Sequence, residues 1–528
     1  MQKSYPVRII LAISLWLALF QTLAGAPAAG GVIRGSLTDP LGKPVSGARV
    51  TLIHRSKPFR QTSTDSRGAF LLSAVPSGNY RLSAEAAGFA SASSAPLLLK
   101  AGGSLRIELR LQIGTLKQHM VVSATGTAVP ESQVGSSVSV LGPEALDALN
   151  KLDVLDALRL LPGVEVMQEG ERGSLGSVFI QGGDYDFNKV LIDGIAINDI
   201  GGVFDFSNLS TSGVDQVEVF RGPDSILYGS DALGGVINIT TRRGSTPSPQ
   251  FSYSADAGNF ETYRQEASVG GAFHQFDYYS DFMRFDTQNS LPNNSFHNAT
   301  YTGNFGWKPA ENATIRFTLH HDATGLGSSN ALALYGIPDD SFQRYQDTDM
   351  GLAVQDQTTS RWHNMLRLTS SHIHYLFDTP EPAGIPFTTD SLGTNYLGDP
   401  VTLCGANGYC TSGQAILDYG GAYPMLFNSF TSVRSVYAQT DYNFRPDLAA
   451  TAGFQYINET GSSQSSGLAA SAITRNNYDA FLEAHGDLRQ RFFGTAGVGI
   501  ESNAVFGLAA TPRASAAYYL RRPSSGLF

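Results

Sequence analysis

The sequence predicts a mainly β protein: an N-terminal β-sandwich, a small α+β domain, and an incomplete transmembrane antiparallel β-barrel. Three observations carry that prediction. From residue 250 onward, apolar and polar side chains alternate over strand-length runs, as they do where one sheet face meets lipid and the other a polar lumen. Between Val178 and Arg243 the apolar runs are short and broken by Gly, Asp and Pro. The aromatic residues are mostly Tyr (22) and Phe (30), against 3 Trp and 7 Met, which suits a β-rich protein at a membrane interface.

The chain opens on Lys3 and Arg8 ahead of an apolar run from Ile9 to Phe20, with small residues at Leu23-Ala-Gly-Ala26. Residues 1–26 therefore read as a secretory signal peptide, too short and wrongly flanked for a spanning helix; an N-terminal anchor is the alternative. The 528 residues allow two or three domains, and a net charge of −10 leaves no basic footprint for nucleic acid. Mean hydropathy near zero excludes a bundle of apolar membrane helices. Export permits disulfides, and Cys404 and Cys410, the only two cysteines, sit close together in a loop. A local disulfide is favoured over a metal site because no Cys or His partners lie nearby at ligand spacing.

Residues 32–112 carry short strands at Ile33–Leu37, Ala48–Ile53, Ala69–Leu72, Asn79–Leu82 and Leu105–Leu109, separated by Gly, Pro and Asp. Their spacing predicts a small β-sandwich. The runs Gly42–Val50, Thr64–Phe70 and Val75–Tyr80 resemble the carboxypeptidase regulatory-like domain, which implies a non-catalytic accessory. No His-x-x-Glu or His-Glu-x-x-His occurs in the chain, so a zinc peptidase would lack ligands.

Residues 118–125 form a short β-prone run, followed by a Gly/Ser/Pro-containing tract to Ser137. Asp153–Gly163 spaces its apolar residues for an amphipathic helix closed by Pro162-Gly163. Next come Val190–Ile192 and Ile195–Ile197 around Asp193-Gly194, a two-residue hairpin signal. Arg221-Gly222-Pro223 stops one further strand, and Val236–Thr240 makes another.

From Gln250 the strands run to about ten residues each. Ile315, Phe317 and Leu319 alternate with Arg316, Thr318 and His320; Val436, Ala438, Tyr442 and Phe444 alternate with Gln439, Asp441 and Asn443. Short turns are expected at Lys308–Asn312, Arg445–Asp447 and Leu488–Gln490, and long connections from about Asp322 to Gln357 and from Thr379 to Phe430. About a dozen strands fit before Leu520.

The ordered stretch from Val178 to Arg243 resembles the plug domain of TonB-dependent outer-membrane receptors, here 130–245. Its pattern ("LIDG", "IEVxRGPxSxLYGxxAxGGVINIxT") is met at Gly182, Asp193, Gly194, Glu218, Arg221, Gly222, Pro223, Tyr228, Gly229, Gly235 and Asn238, to which the resemblance assigns structural roles. One departure is Gln181, where the family's "IRG" strand has Arg. Met120, Val121, Val122, Ser123 and Ala124 resemble the family's TonB box. That likeness implies binding to the periplasmic C-terminal domain of TonB by strand addition; the alternative is that the run is simply the first plug strand. The resemblance also implies a barrel of about 22 strands. Residues 250–528 would then be its N-terminal portion, because half a barrel leaves unpaired edges in lipid. A truncated product or a partial sequence is the expectation.

By the same resemblance the function is energised import across the outer membrane, in contact with outer-membrane lipid. The expected cargo is a small scarce ligand, first an iron-siderophore, with cobalamin or a glycan as alternatives. A non-transporting exported binding or adhesion protein is the competing class, and a functional TonB box separates the two. Neither catalytic residues nor a cofactor are expected: Gly-x-Ser-x-Gly and Walker motifs are absent, and His372 with His374 supply only two candidate ligands.

Overall fold

The computed structural model describes residues 30–520 apart from 40–41, 55–56, 87–88, 90–91, 112–119, 122–128, 131–133, 230, 329–340, 381–384, 391–392, 421–424, 446 and 490. The expected signal peptide lies outside the described residues. Two compact units divide at residue 117. The first contains the sandwich. One of its sheets orders Ala69–Val75, Gly31–Thr38 and Ser104–Arg110; the other orders Lys57–Ser63, Arg49–His54, Gly78–Glu85 and Ala92–Ser93. Ile33, Leu37, Val50, Leu52, Leu82 and Leu111 fill the space between them and are fully buried. The strand Lys57–Ser63 was not anticipated, because six of its seven residues are polar or Pro and six of the seven are exposed.

In the second unit, a plug domain and a large sheet pack together. The plug sheet runs Ser137–Leu141, Val214–Arg221, Gly235–Thr241, Asn188–Ile192, Ile195–Ala196 in spatial order. Gly235–Thr241 pairs in parallel with Asn188–Ile192 and antiparallel with Val214–Arg221. The hairpin expected around Asp193-Gly194 is present, with φ of 50° and 78°, the left-handed values a two-residue turn of this kind requires. Below the sheet lie the helices Pro143–Leu149 and Val154–Leu158. The second starts where the Asp153 carboxylate accepts the Asp156 N–H at 2.9 Å. It is shorter than the expected 153–163. Pro162 disfavours helix at the residue before it, and Gly163 at φ 70° turns the chain into the strand Val164–Gln168.

Twelve antiparallel strands form the large sheet, in sequence order from Gln250–Gly258 to Gly507–Tyr518. Among the described residues its two edge strands pair with no further strand. Alternation sets the two faces. Phe317 is 39 % exposed on the outward face, whereas its neighbour Thr318 is buried toward the plug. Aromatic pairs mark both margins of the outward apolar band. Phe276 stacks on Trp307 at 6.0 Å near the short turns, and Tyr456 meets Tyr478 at 5.1 Å on the far side.

Two expectations need correction. Strand lengths run from 9 to 21 residues, so the connection expected at Asp322–Gln357 shrinks to 328–341. Likewise Thr379–Phe430 is not one loop: it holds a three-stranded sheet, Ile385–Asp390, Gly393–Cys404 and Cys410–Gly420, and the next main strand already starts at Met425. Beyond the apolar band the outward residues turn polar, which erases the alternation while backbone pairing continues.

Candidate functional site

The plug signature builds a rigid frame. Asp193 accepts the Thr241 backbone N–H at 3.1 Å and its hydroxyl at 2.6 Å, tying the hairpin to the next strand. Arg221 donates to the hydroxyls of Ser137 (3.2 Å) and Ser139 (2.6 Å). Glu218 is buried and accepts the Gln216 amide at 2.8 Å. A side chain at Gly235 would put its Cβ 2.3 Å from the Phe220 carbonyl oxygen, so the close approach of these strands requires glycine. Gly222 at φ 105° and Gly229 at φ 78° hold the turns on either side of the one-turn helix Ser225–Tyr228. Gly182, at φ 76°, follows Gln181, itself at φ 52°, so the residue in the family's Arg position sits in a turn. Asn238 is buried within its strand, and Pro223 is exposed.

Long-range polar contacts seat this frame in the sheet. Arg513 donates to Asp224 at 2.7 Å and lies over the Phe220 ring at 5.5 Å. Burial pushes the Asp224 carboxyl up to about 8 against the pull of Arg513, with Glu483 adding to the rise. Lys189, buried, pairs with Asp231 at 3.0 Å. Arg367 reaches the Gly194 carbonyl at 3.3 Å, and Asn304 reaches the Thr241 hydroxyl at 2.8 Å. Toward the long connections, Asn298 donates to the Asn208 carbonyl at 3.0 Å and Asp199 accepts the Thr431 hydroxyl. Glu171 accepts from Ser290 and from Asn294 at 2.9 Å; the Ser290 hydroxyl is the main cause holding its carboxyl below the usual range. Between plug and sheet remains a cavity of about 960 Å³, lined by Asp193, Arg243, Asp277, Arg316, His363 and Arg367 among others.

Of the expected partner-binding run, Met120–Val121 forms a short strand against Val129–Pro130; Val122, Ser123 and Ala124 lie outside the described residues. Val121 is fully buried against Leu191, Phe220, Ala232 and Val236, side chains of the signature strands. Cys404 and Cys410 face each other across two paired strands and form a disulfide. His372 and His374 point outward from the sheet, and no metal-holding group of three or more His, Cys, Asp or Glu occurs among the described residues. Sequence reasoning missed the seating residues Arg513, Arg367, Asn298 and Thr431. Nothing local names their partners, which are 90 to 289 residues away.

Residues 130–236 match the TonB-dependent receptor plug domain, and 32–112 match the carboxypeptidase regulatory-like domain. Among solved structures, the chain is similar to the ferric preacinetobactin receptor from Acinetobacter baumannii (13 % identity, TM-score 0.55, 75 % of this chain and 62 % of that one). It is also similar to the alcaligin outer-membrane receptor from Bordetella pertussis (13 %, TM-score 0.58, 76 % and 63 %) and the ferric yersiniabactin uptake receptor from Yersinia pestis (16 %, TM-score 0.53, 76 % and 63 %). The chain thus spans about three fifths of the length of these receptors. The family and its structural neighbours are receptors and transporters, not enzymes. Residues 130–236 thus carry a TonB-dependent receptor plug domain, with a carboxypeptidase regulatory-like domain ahead of it, and the twelve-stranded sheet around the plug shares its fold with outer-membrane receptors.

Proposed function

We propose that the chain takes part in energised import of a small scarce ligand, an iron-siderophore in the first instance, with TonB engaging Met120–Ala124. The cargo reading leans on the neighbours, several of which are named for ferric or siderophore ligands and one for copper. The mechanism leans on one observation: Val121 packs on Leu191, Phe220 and Val236, so the short strand is fastened to the frame that Arg513, Arg367 and Asn304 hold in the sheet. A pull on the strand is a pull on that frame. Beside an apolar cluster of Ile226 and Leu227 against Met365, Tyr437 and Phe481, the plug meets the wall through polar contacts, and these can exchange with water as it shifts. Ligand enters from the side of the long connections, where Glu171 and Asp199 hold the plug's outer loops to the sheet. No bond in the ligand is made or broken.

Replacing Val122 by Pro tests this reading, because it deletes a backbone donor needed for strand addition. The expected result is ligand bound normally at the cell surface with energy-dependent uptake lost. Uptake at the parental rate would refute the assignment.

A further inference from the structure

The cavity of about 960 Å³ between plug and sheet has a charge pattern that its role as a gap does not explain. Its wall comes from the third to the eighth of the twelve strands, Phe276–Thr287 to Met425–Arg445, so it lies away from both edges of the sheet. Lys308 and Gln357 line it beside the short turns. At the other end the plug hairpin closes it. A Cβ at Gly351 would lie 3.1 Å from the Ile195 Cδ1 methyl, and Arg367 reaches the Gly194 carbonyl at 3.3 Å. A ligand therefore reaches the cavity from the side of the short turns, with the plug in place.

Each carboxylate in the lining is already engaged. Asp193 accepts from the backbone and the hydroxyl of Thr241, and Asp277 pairs with Arg316 at 2.9 Å. Asp441 accepts from Gln439 at 3.0 Å and from Thr451 at 2.7 Å, and lies 3.1 Å from the His363 ring nitrogen. The cations are not matched in the same way. Arg243 on the plug side, and Lys308 and Arg367 on the wall, form no ion pair among the described residues. Asp193, Asp215 and Asp277 act on Arg243 only from farther off, and Arg316 opposes them. Arg367 lies over the Tyr437 ring at 5.7 Å, and its Nε is buried without an acceptor among the described residues. An unmatched guanidinium in a closed space is costly unless negative charge reaches it.

We propose that this cavity binds a small organic anion bearing several carboxylate or phosphate groups, held between Arg243 of the plug and Lys308 and Arg367 of the wall. The planar fork of a guanidinium matches the two oxygens of such a group, and the lysine adds a third positive charge. The volume is that of a small-molecule site and far exceeds what a single inorganic ion fills. Gln355, Gln357, Thr240 and Thr314 also line the space and supply neutral donors for the remaining oxygens. Seated there, the anion ties plug to wall beneath the hairpin. The proposal concerns this cavity alone and does not depend on what is imported.

The test uses the intact protein in detergent with the lining residue Gln355→Cys; both native cysteines are held in their disulfide, so the new thiol is the only free one. Its alkylation by N-ethylmaleimide, a neutral reagent, is timed at matched ionic strength with citrate as the probe. Triethyl citrate, the same skeleton without charge, is the control. At citrate about ten times its dissociation constant the reaction should slow roughly tenfold, while triethyl citrate leaves the rate unchanged. Arg243→Gln together with Arg367→Gln should raise the citrate needed for half protection by at least about tenfold, and Arg243→Lys should raise it less. No protection by citrate, equal protection by the ester, or protection of the double variant at the parental concentration would each overturn the proposal. The comparison of acid with ester needs no charge variant to fold.

Discussion

Truncating Val121 to Ala should loosen the short strand Met120–Val121 without loosening the plug. Val121 is fully buried against Leu191, Phe220, Ala232 and Val236, but its strand pairs over only two residues. Loss of two methyl groups removes about 1.6 kcal/mol of burial at roughly 0.8 each. Incomplete collapse of the space left behind brings the total to about 2 kcal/mol. At about 1.4 kcal/mol per factor of ten, the undocked population should rise roughly ten- to thirtyfold. Amide hydrogen exchange reads this directly, comparing peptides that cover 118–130 with those covering Gly235–Thr241. The first set should exchange at least about tenfold faster in the variant, the second unchanged. Unchanged exchange at 118–130 would refute the reasoning, as would equal acceleration in both sets. The latter would make Val121 part of the plug core and not a detachable strand.

Asp224 should make plug retention depend on pH. Its carboxyl, pushed up to about 8 in the seated plug, returns toward about 3.9 when the plug leaves. The seated form therefore holds more protons between those values, and its stability falls as pH rises from about 4 to about 8. The urea concentration that extracts the plug should be lower at pH 8 than at pH 5, and Asp224→Asn should flatten that difference; equal slopes in parent and variant would count against it. Cys404→Ser should cost the outer three-stranded sheet about 2 kcal/mol, given the short ring the bond closes. Its signature is faster proteolysis within 385–420 while the melting of the twelve-stranded sheet is unchanged; a lowered melting temperature would show the bond bracing more than its loop.

What the sequence made legible was local and periodic. Alternation at Ile315–His320 and Val436–Phe444 assigned faces that agree with the buried Thr318 and His320 and the exposed Phe317 and Val436. Asp193-Gly194 announced its hairpin because only a left-handed pair of φ values closes a two-residue turn there. The strand ends were illegible for the opposite reason: past the apolar band both faces are polar, so Gln343, Arg344, Gln346, Asp347 and Thr348 carry no periodic signal although they lie within a strand. The seating contacts depend on register between distant strands, and no local window holds Arg513 and Asp224 together. The burial of Val121 is equally non-local, since it follows from where Phe220 and Val236 come to lie.

The most direct test of the central claim is cross-linking in cells at the strand that is proposed to bear the pull. A Ser123→Cys receptor, paired with single-cysteine variants along one edge strand of the periplasmic domain of TonB, should form disulfides in a register that repeats every two residues, and more of them when ligand is bound. Cross-links that are absent, or that ignore both register and ligand, would contradict the account.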